Sequence, residues 1–368
     1  MGATDRVVIV VKIGSSSLTD ERGVIDDAAI STLSAEVAAM RAAGHAVVVV
    51  SSGAVAAGVD ALGLDARPSD MATLQALAAA GQPRLMRSWD RALAPHGLVP
   101  GQVLLVPHDF VDRRQYLHAR RTLTRLLDLG TVPIVNENDA IASDETRYGD
   151  NDRLAALVAH NLGAAVLVLL TDLDGLYAAD PRVDTTAALI PHVRVDDPLL
   201  AIRAGSGGSG RGSGGMASKL EAARIASWSG VRTVIANAAR PGVLAGAVAD
   251  EPVGTSFEAH RRKLPARKLW IAFAARVAGR ITVDDGARRA LLERSTSLLP
   301  AGVVEVGGRF GEGDTVDITG TDGSAFARGM VFVEAAQLRK VAGFHTRDLP
   351  PGMAHEVVHR DDLVVLPA

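Results

Sequence analysis

The chain has 368 residues, too many for one ordinary hydrophobic core, so length alone predicts two domains. Apolar residues make up 48% and charged residues 22%, which excludes a globally disordered chain, while 4% aromatic residues leave the core to Ala, Val, Leu and Ile. A formal net charge of −3 predicts no global attraction to nucleic acid or an anionic membrane, and the absence of cysteine excludes disulfides, thiolate chemistry and cysteine-based metal sites.

The N-terminus, Met1-Gly2-Ala3-Thr4-Asp5-Arg6, runs directly into a strand-like segment without the regions of a secretory signal. The longest apolar runs, such as Ala164–Leu170, fall far short of the ~20 residues a membrane span needs, so a cytoplasmic protein without membrane association is expected. Val7–Val11 is a β-branched run ending at Lys12 and predicts a buried strand. Ile30, Leu33, Val37 and Met40 recur at helical spacing and predict a helix closing near Gly44. Ala46–Val50 repeats the strand signal and breaks at Ser51-Ser52-Gly53. A strand at Leu98–Val106, a helix around Tyr116–Leu127 and a strand at Val132–Val135 follow. The rhythm continues through a helix around Arg153–Asn161, a strand at Ala164–Leu170, a helix around Ala217–Ser227 and a strand at Val231–Ala236. Such alternation predicts an α/β fold, a mainly parallel sheet sandwiched by helices, over residues 1–257.

Residues 258–273, with Arg261, Arg262, Lys263, Arg267 and Lys268, read as a linker or as a solvated charged stretch. From 274 to 368 the segments shorten: Ile281–Val283, Val303–Val306, Thr315–Ile318 and Ala327–Val333, separated by glycine turns, predict a small β-barrel-like domain with one helix over Asp285–Arg294.

Four clusters fall at strand ends of the first domain, where open α/β sheets bind ligands. Lys12-Ile13-Gly14-Ser15-Ser16-Ser17 can present an ammonium and backbone N–H groups to phosphate, or make an ordinary turn with an exposed lysine. Ser51–Gly58 is a small-residue turn entering a helix, suited to close approach of an anion and equally to a simple capped turn. Asn136-Glu137-Asn138-Asp139 and Gly149-Asp150-Asn151-Asp152 are polar groups able to hold an amine, a cation or substrate atoms. The second lacks the glycine and glutamate of an EF-hand, and Asp152 could simply cap a helix. Gly205–Gly215 has linker composition, yet it leads into Met216-Ala217-Ser218-Lys219 at a helix start, where a bound anion would offset the unfavourable lysine–dipole interaction; the spacing is not that of a Walker A loop. Thr171-Asp172, with Asp174–Tyr177 and Asp180-Pro181 following, suits a nucleotide wall or a cluster of turns. No Ser/His/Asp triad is evident, and the ten histidines show no metal-ligand spacing.

Together, Ser51–Gly58, Asn136–Ala140, Gly149–Asp152, Leu170–Tyr177 and Ser213–Lys219 resemble the amino acid kinase superfamily, and within it the bacterial glutamate 5-kinases. The resemblance implies transfer of the ATP γ-phosphoryl group to the γ-carboxylate of L-glutamate, the first step of proline biosynthesis. It implies that Lys12 and Lys219 stabilise the charge in transfer and that Asp152 orients them. Ser52, Gly53, Asn136, Asp139, Asp150 and Asn151 would hold glutamate. Lys12, Gly14, Thr171, Asp172 and Ser213, Gly214, Gly215, Met216, Ala217, Ser218 and Lys219 would hold ATP with Mg²⁺, whose ligands the sequence leaves unknown. Feedback by proline, hand-off to a glutamyl-phosphate reductase and a homo-oligomer are further implications. Residues 274–368 resemble a PUA domain, through Ile281–Ala287, Ser297–Val303 and His359–Asp362. PUA folds often bind RNA, but eleven Lys/Arg against thirteen Asp/Glu give this segment a net charge of −2, which argues against it. A carboxylate nucleophile is already ionised at neutral pH, so the implied reaction requires alignment and charge neutralisation rather than a general base.

Overall fold

A computed structural model describes residues 6–20, 23–110, 112–141, 151–195, 197, 215–261, 263–275, 277–350 and 354–366. The chain divides into two units, Met1–Lys263 and Leu264–Ala368.

In the first unit the elements run β1 (Val8–Ile13), α1 (Ser15–Leu18), α2 (Asp27–Ala42), β2 (Ala46–Ser51), α3 (Ala54–Ala61), α4 (Met71–Leu93), β3 (Pro100–Leu105), α5 (Arg113–Asp128), β4 (Val132–Glu137), α6 (Asn151–Leu162) and β5 (Val166–Thr171). Three two-residue strands follow, β6 (Leu176–Tyr177), β7 (Leu189–Ile190) and β8 (His192–Val193). Then come α7 (Met216–Trp228), β9 (Arg232–Asn237), α8 (Val243–Val248) and β10 (Gly254–Phe257). Eight strands make one sheet in the order β3-β4-β2-β1-β5-β9-β10-β8, parallel throughout except between β9 and β10. The β-branched runs form strands because they are covered on both faces, as parallel sheets require.

Side-chain alternation sorts the central strands between two helix layers. Ile9, Val11 and Ile13 of β1, Val47 and Val49 of β2 and Ile134 of β4 join one core cluster with residues of α2 and α4. The other face of β1 is covered by α6, which packs against α7. Lys12 belongs to this second face, paired in register with Val50 and Leu169. α4 begins at Asp70, whose carboxylate accepts from Thr73 N at 2.9 Å, and continues through Gly81 and Pro83. α8 is capped from a distance: Glu36 of α2 accepts from the backbone N–H groups of Gly242, Val243 and Leu244. Glu258 and His260 remain with the first unit, through a 2.9 Å His192–Glu258 contact and a stack of His260 on Trp228.

The second unit contains α9 (Ala266–Leu269), β11 (Val277–Val283), α10 (Asp285–Arg294), β12 (Val303–Gly308), β13 (Thr315–Thr319), β14 (Ala325–Met330), α11 (Ala335–Val341) and β15 (Leu363–Val365). Its five-stranded sheet runs β12-β11-β13-β14-β15, with only β11 and β13 parallel. Ile281, Val316, Ile318 and Leu338 belong to its own core. Among the described residues, no helix is long and apolar enough to cross a membrane.

Candidate active site

Parity along β1 directs Lys12 under α6, where its ammonium lies 2.5 Å from Oδ1 of Asp152. Oδ2 of the same carboxylate accepts from Lys219 Nζ at 3.0 Å and from Ser218 Oγ at 2.9 Å, both in the first turn of α7. Ser218 Oγ is also 2.8 Å from the Gly215 carbonyl, which ties the entry of α7 to this cluster. Lys12 is 1%, Asp152 0% and Lys219 5% exposed, so an exposed lysine opening a turn is not what β1 provides. One buried carboxylate thus holds two ammonium groups where β1 ends and α7 begins. Gly14 keeps the approach open, since a Cβ there would stand 3.3 Å from Lys12 Nζ. α7 starts at Gly215 without a side-chain cap, which leaves its first N–H groups suited to phosphate oxygens.

The second half of the site faces α4. Asn136 of β4 and Ser51 of β2 share the parity of Ile134 and Val49 and so meet that helix. Two backbone groups fix the amide orientations. The Glu137 N–H donates to Asn136 Oδ1 at 2.9 Å, so Nδ2 of Asn136 points the other way and donates to Gln82 Oε1, also at 2.9 Å. The Ser51 carbonyl accepts from Asn151 Nδ2 at 2.9 Å, and the same Nδ2 approaches Asn136 Oδ1 at 2.7 Å and Ser52 Oγ at 3.2 Å. Trp89 Nε1 donates to Ser51 Oγ at 3.1 Å, and Ser51 Oγ donates to the Ser52 carbonyl. With Nδ2 of Asn151 so engaged, its Oδ1 remains available as an acceptor, and Ser52 retains its hydroxyl proton as a donor. Gly53, at φ 109°, makes the sharp turn from β2 into α3 in a conformation that disfavours a side chain.

The expected residues thus fall into two groups. Lys12, Gly14, Asp152, Gly215, Ser218 and Lys219 lie around the buried carboxylate, with Met216 and Ala217 in the same first turn of α7. Ser52, Asn136 and Asn151 form the amide network, with Gly53 at its turn. The two groups meet at the consecutive residues Asn151 and Asp152. Asp139 is half-buried just beyond β4. Thr171 ends β5, and its hydroxyl donates to Asp172 Oδ1 at 3.0 Å. Burial pushes the Asp172 carboxyl up, but the Thr171 hydroxyl, Asp172's own backbone and Arg182 together hold it below the ordinary value. Arg182 Nη2 reaches Asp172 Oδ2 at 2.7 Å. Asp150, Ser213 and Gly214 lie outside the described residues. Gln82 and Trp89 were not expected from sequence, because their partners lie 54 and 38 residues away along the chain.

The family model for the amino acid kinase family matches residues 7–237. The chain belongs to the amino acid kinase family. The model for the PUA domain matches residues 279–351 of the second unit. Among curated relatives of this amino acid kinase, the glutamate 5-kinase of Rhodococcus opacus (strain B4) is 49% identical over 371 residues, covering the whole of both chains. The glutamate 5-kinase of Mycobacterium ulcerans (strain Agy99) is 47% identical over 358 residues, 97% of this chain and 96% of that one. Among solved structures, the chain is similar to a UMP kinase from Ureaplasma parvum, at 15% identity and a TM-score of 0.49, covering 69% of this chain and all of that one.

Proposed function

We propose that this amino acid kinase is a glutamate 5-kinase, which transfers the γ-phosphoryl group of ATP to the side-chain carboxylate of L-glutamate and forms L-glutamyl 5-phosphate. Near-full-length similarity to glutamate 5-kinases supports the reading. The observation that carries its chemistry is one buried carboxylate, Asp152, holding the ammonium groups of Lys12 and Lys219 together at the sheet end.

A γ-carboxylate oxygen of glutamate attacks the γ-phosphorus as the bond to the β–γ bridging oxygen breaks, and ADP leaves with that electron pair. The nucleophile is ionised at neutral pH and needs no base. What it needs is relief from repulsion between two anions and alignment in line. Lys12 and Lys219 supply positive charge, and Asp152 fixes both ammonium groups. Gly14, Thr171, Asp172 and the entry of α7, with Ser213 and Gly214 before it, hold the nucleotide. Ser52, Gly53, Asn136, Asp139, Asp150 and Asn151 hold glutamate. Among these, Asn151 Oδ1 and Asp139 suit its ammonium and the Ser52 hydroxyl a carboxylate.

No cluster of three or more acidic or histidine side chains among the described residues forms a cage for a cation. Mg²⁺ bound with ATP would supply further charge neutralisation. Feedback by proline, consumption of the acyl phosphate by a glutamyl-phosphate reductase, a homo-oligomeric state and a cytoplasmic location belong to the same reading. So does a division into a kinase domain over 1–257, a linker over 258–273 and a PUA domain over 274–368. The net −2 of that last segment supports a role other than RNA binding.

The test is ATP turnover with glutamate, aspartate, N-acetylglutamate and uridylate under Mg²⁺. Glutamate alone is expected to support turnover. Comparable turnover with N-acetylglutamate would overturn the assignment, because a pocket that holds a free ammonium rejects the acetylated amine.

A further inference from the structure

Gln82 and Trp89 lie seven residues apart on α4 and therefore on one face of it. From that face each reaches the end of a sheet strand: Gln82 accepts from Asn136 at 2.9 Å, and Trp89 donates to Ser51 at 3.1 Å. Gln82 is 8% exposed and Trp89 0%. α4 is held tightly against α3 at this point, because a glycine of each helix faces the other helix's backbone. A Cβ on Gly81 would lie 1.9 Å from the Ala54 carbonyl oxygen, and one on Gly58 would lie 2.0 Å from that of Leu77.

The amide of Gln82 is a poor choice if it serves packing alone. Its Nε2 is buried without a hydrogen-bond partner among the described residues, a cost that an apolar side chain of the same length would avoid. The half of the amide that is engaged is Oε1, and it is engaged by Asn136. Removing that acceptor leaves Nδ2 of Asn136 buried and unsatisfied, which favours rotation of the Asn136 amide. Rotation takes Oδ1 away from Asn151 Nδ2, which leaves Asn151 held only by the Ser51 carbonyl and Ser52 Oγ and so less firmly placed. At the other end, Trp89 orients the Ser51 hydroxyl toward the Ser52 carbonyl and so fixes the turn that carries Ser52.

We infer that Gln82 and Trp89 are positioning residues for glutamate: from α4 they lock the Asn136 amide and the Ser51 hydroxyl, and thereby present Asn151 Oδ1 and the Ser52 hydroxyl to the substrate. This rests on the glutamate 5-kinase reading. Neither residue belongs to the Lys12–Asp152–Lys219 cluster, which lies on the opposite face of the sheet, so their effect falls on one substrate. Gln82→Met keeps side-chain length and removes the acceptor; Trp89→Phe keeps an aromatic ring and removes the donor.

The experiment is steady-state kinetics on the full chain, varying glutamate and ATP separately, with thermal unfolding of each variant. KM for glutamate is expected to rise about tenfold in each variant, with KM for ATP within about twofold and kcat changed less than KM. The unfolding midpoint of Gln82→Met should change little, since one orphaned donor is removed while Asn136 Nδ2 loses its acceptor. Equal shifts in both KM values, or no shift in either, would overturn the inference. If one variant fails to fold, the other reads the same network from its opposite end; failure of both would make these contacts structural and overturn it as well. Unaltered chain run alongside separates the two levels. If it does not phosphorylate glutamate, the functional reading fails, whereas normal wild-type turnover with unshifted variants refutes the positioning role alone.

Discussion

Asp152 is the residue on which both lysines depend, and the three should respond differently to replacement. Lys12→Ala or Lys219→Ala removes charge that counts most when the phosphoryl group is in flight, so kcat should fall by about 100-fold or more while the remaining lysine keeps a paired carboxylate. Asp152→Ala instead leaves two ammonium groups buried side by side, and the loss should appear in stability, by about 3–5 kcal/mol, as well as in rate. Chemical denaturation beside single-turnover kinetics separates the two cases; equal stability losses in all three variants would contradict these roles. Lys12, Asn136, Asn151, Asp152 and Lys219 were legible in the sequence because each is a polar residue where a β-branched strand stops or a helix starts. Their partners were less so. Gln82 and Trp89 meet Asn136 and Ser51 across 54 and 38 residues, and nothing local in Gly81-Gln82-Pro83 signals a contact at that distance.

Packing between elements also sets a pH limit. His160 of α6 sits with its ring centroid 6.2 Å from that of Tyr116 of α5. Burial, with Arg120 and Lys263 nearby, pushes the His160 imidazolium down to about 4 from an ordinary 6.5. Because the folded pKa is depressed, the unfolded chain binds the proton first. The stabilisation is complete above about pH 6.5 and is lost as pH falls toward about 4, by at most about 3 kcal/mol. Thermal unfolding should therefore show a falling midpoint across that window, and His160→Gln should flatten the slope; an unchanged slope in the variant would contradict the assignment. At this scale the sequence was uneven. β1, β2, β4, β5 and β9 stood out as apolar runs because burial on both faces selects apolar residues until the strands reach their ends. α4 did not, since Gly81 and Pro83 interrupt its helical pattern. The glycine serves a close helix crossing, and the proline is tolerated within a helix packed by Leu77, Leu85 and Trp89. β6, β7 and β8 have two residues each, too few to carry a period.

For the molecule as a whole, one sheet divides the work. Its α6–α7 face holds the Lys12–Asp152–Lys219 cluster, to which the proposed function gives phosphoryl transfer, and its α4 face holds the Asn136–Gln82 and Ser51–Trp89 contacts, to which it gives the acceptor; Asn151 and Asp152 at the start of α6 join the two. The second unit has a separate core and contributes none of these side chains. If the γ-carboxylate of glutamate attacks phosphorus at this junction, its oxygen must pass into the product. Glutamate labelled with ¹⁸O in the γ-carboxylate, turned over with ATP in the presence of hydroxylamine, tests that directly. Hydroxylamine attacks the carbonyl carbon of the acyl phosphate, forming the hydroxamate and expelling phosphate that keeps the bridging oxygen. The expected result is one ¹⁸O in each phosphate released, in step with hydroxamate. Phosphate free of the label would mean that water rather than glutamate takes the phosphoryl group, and would contradict the account.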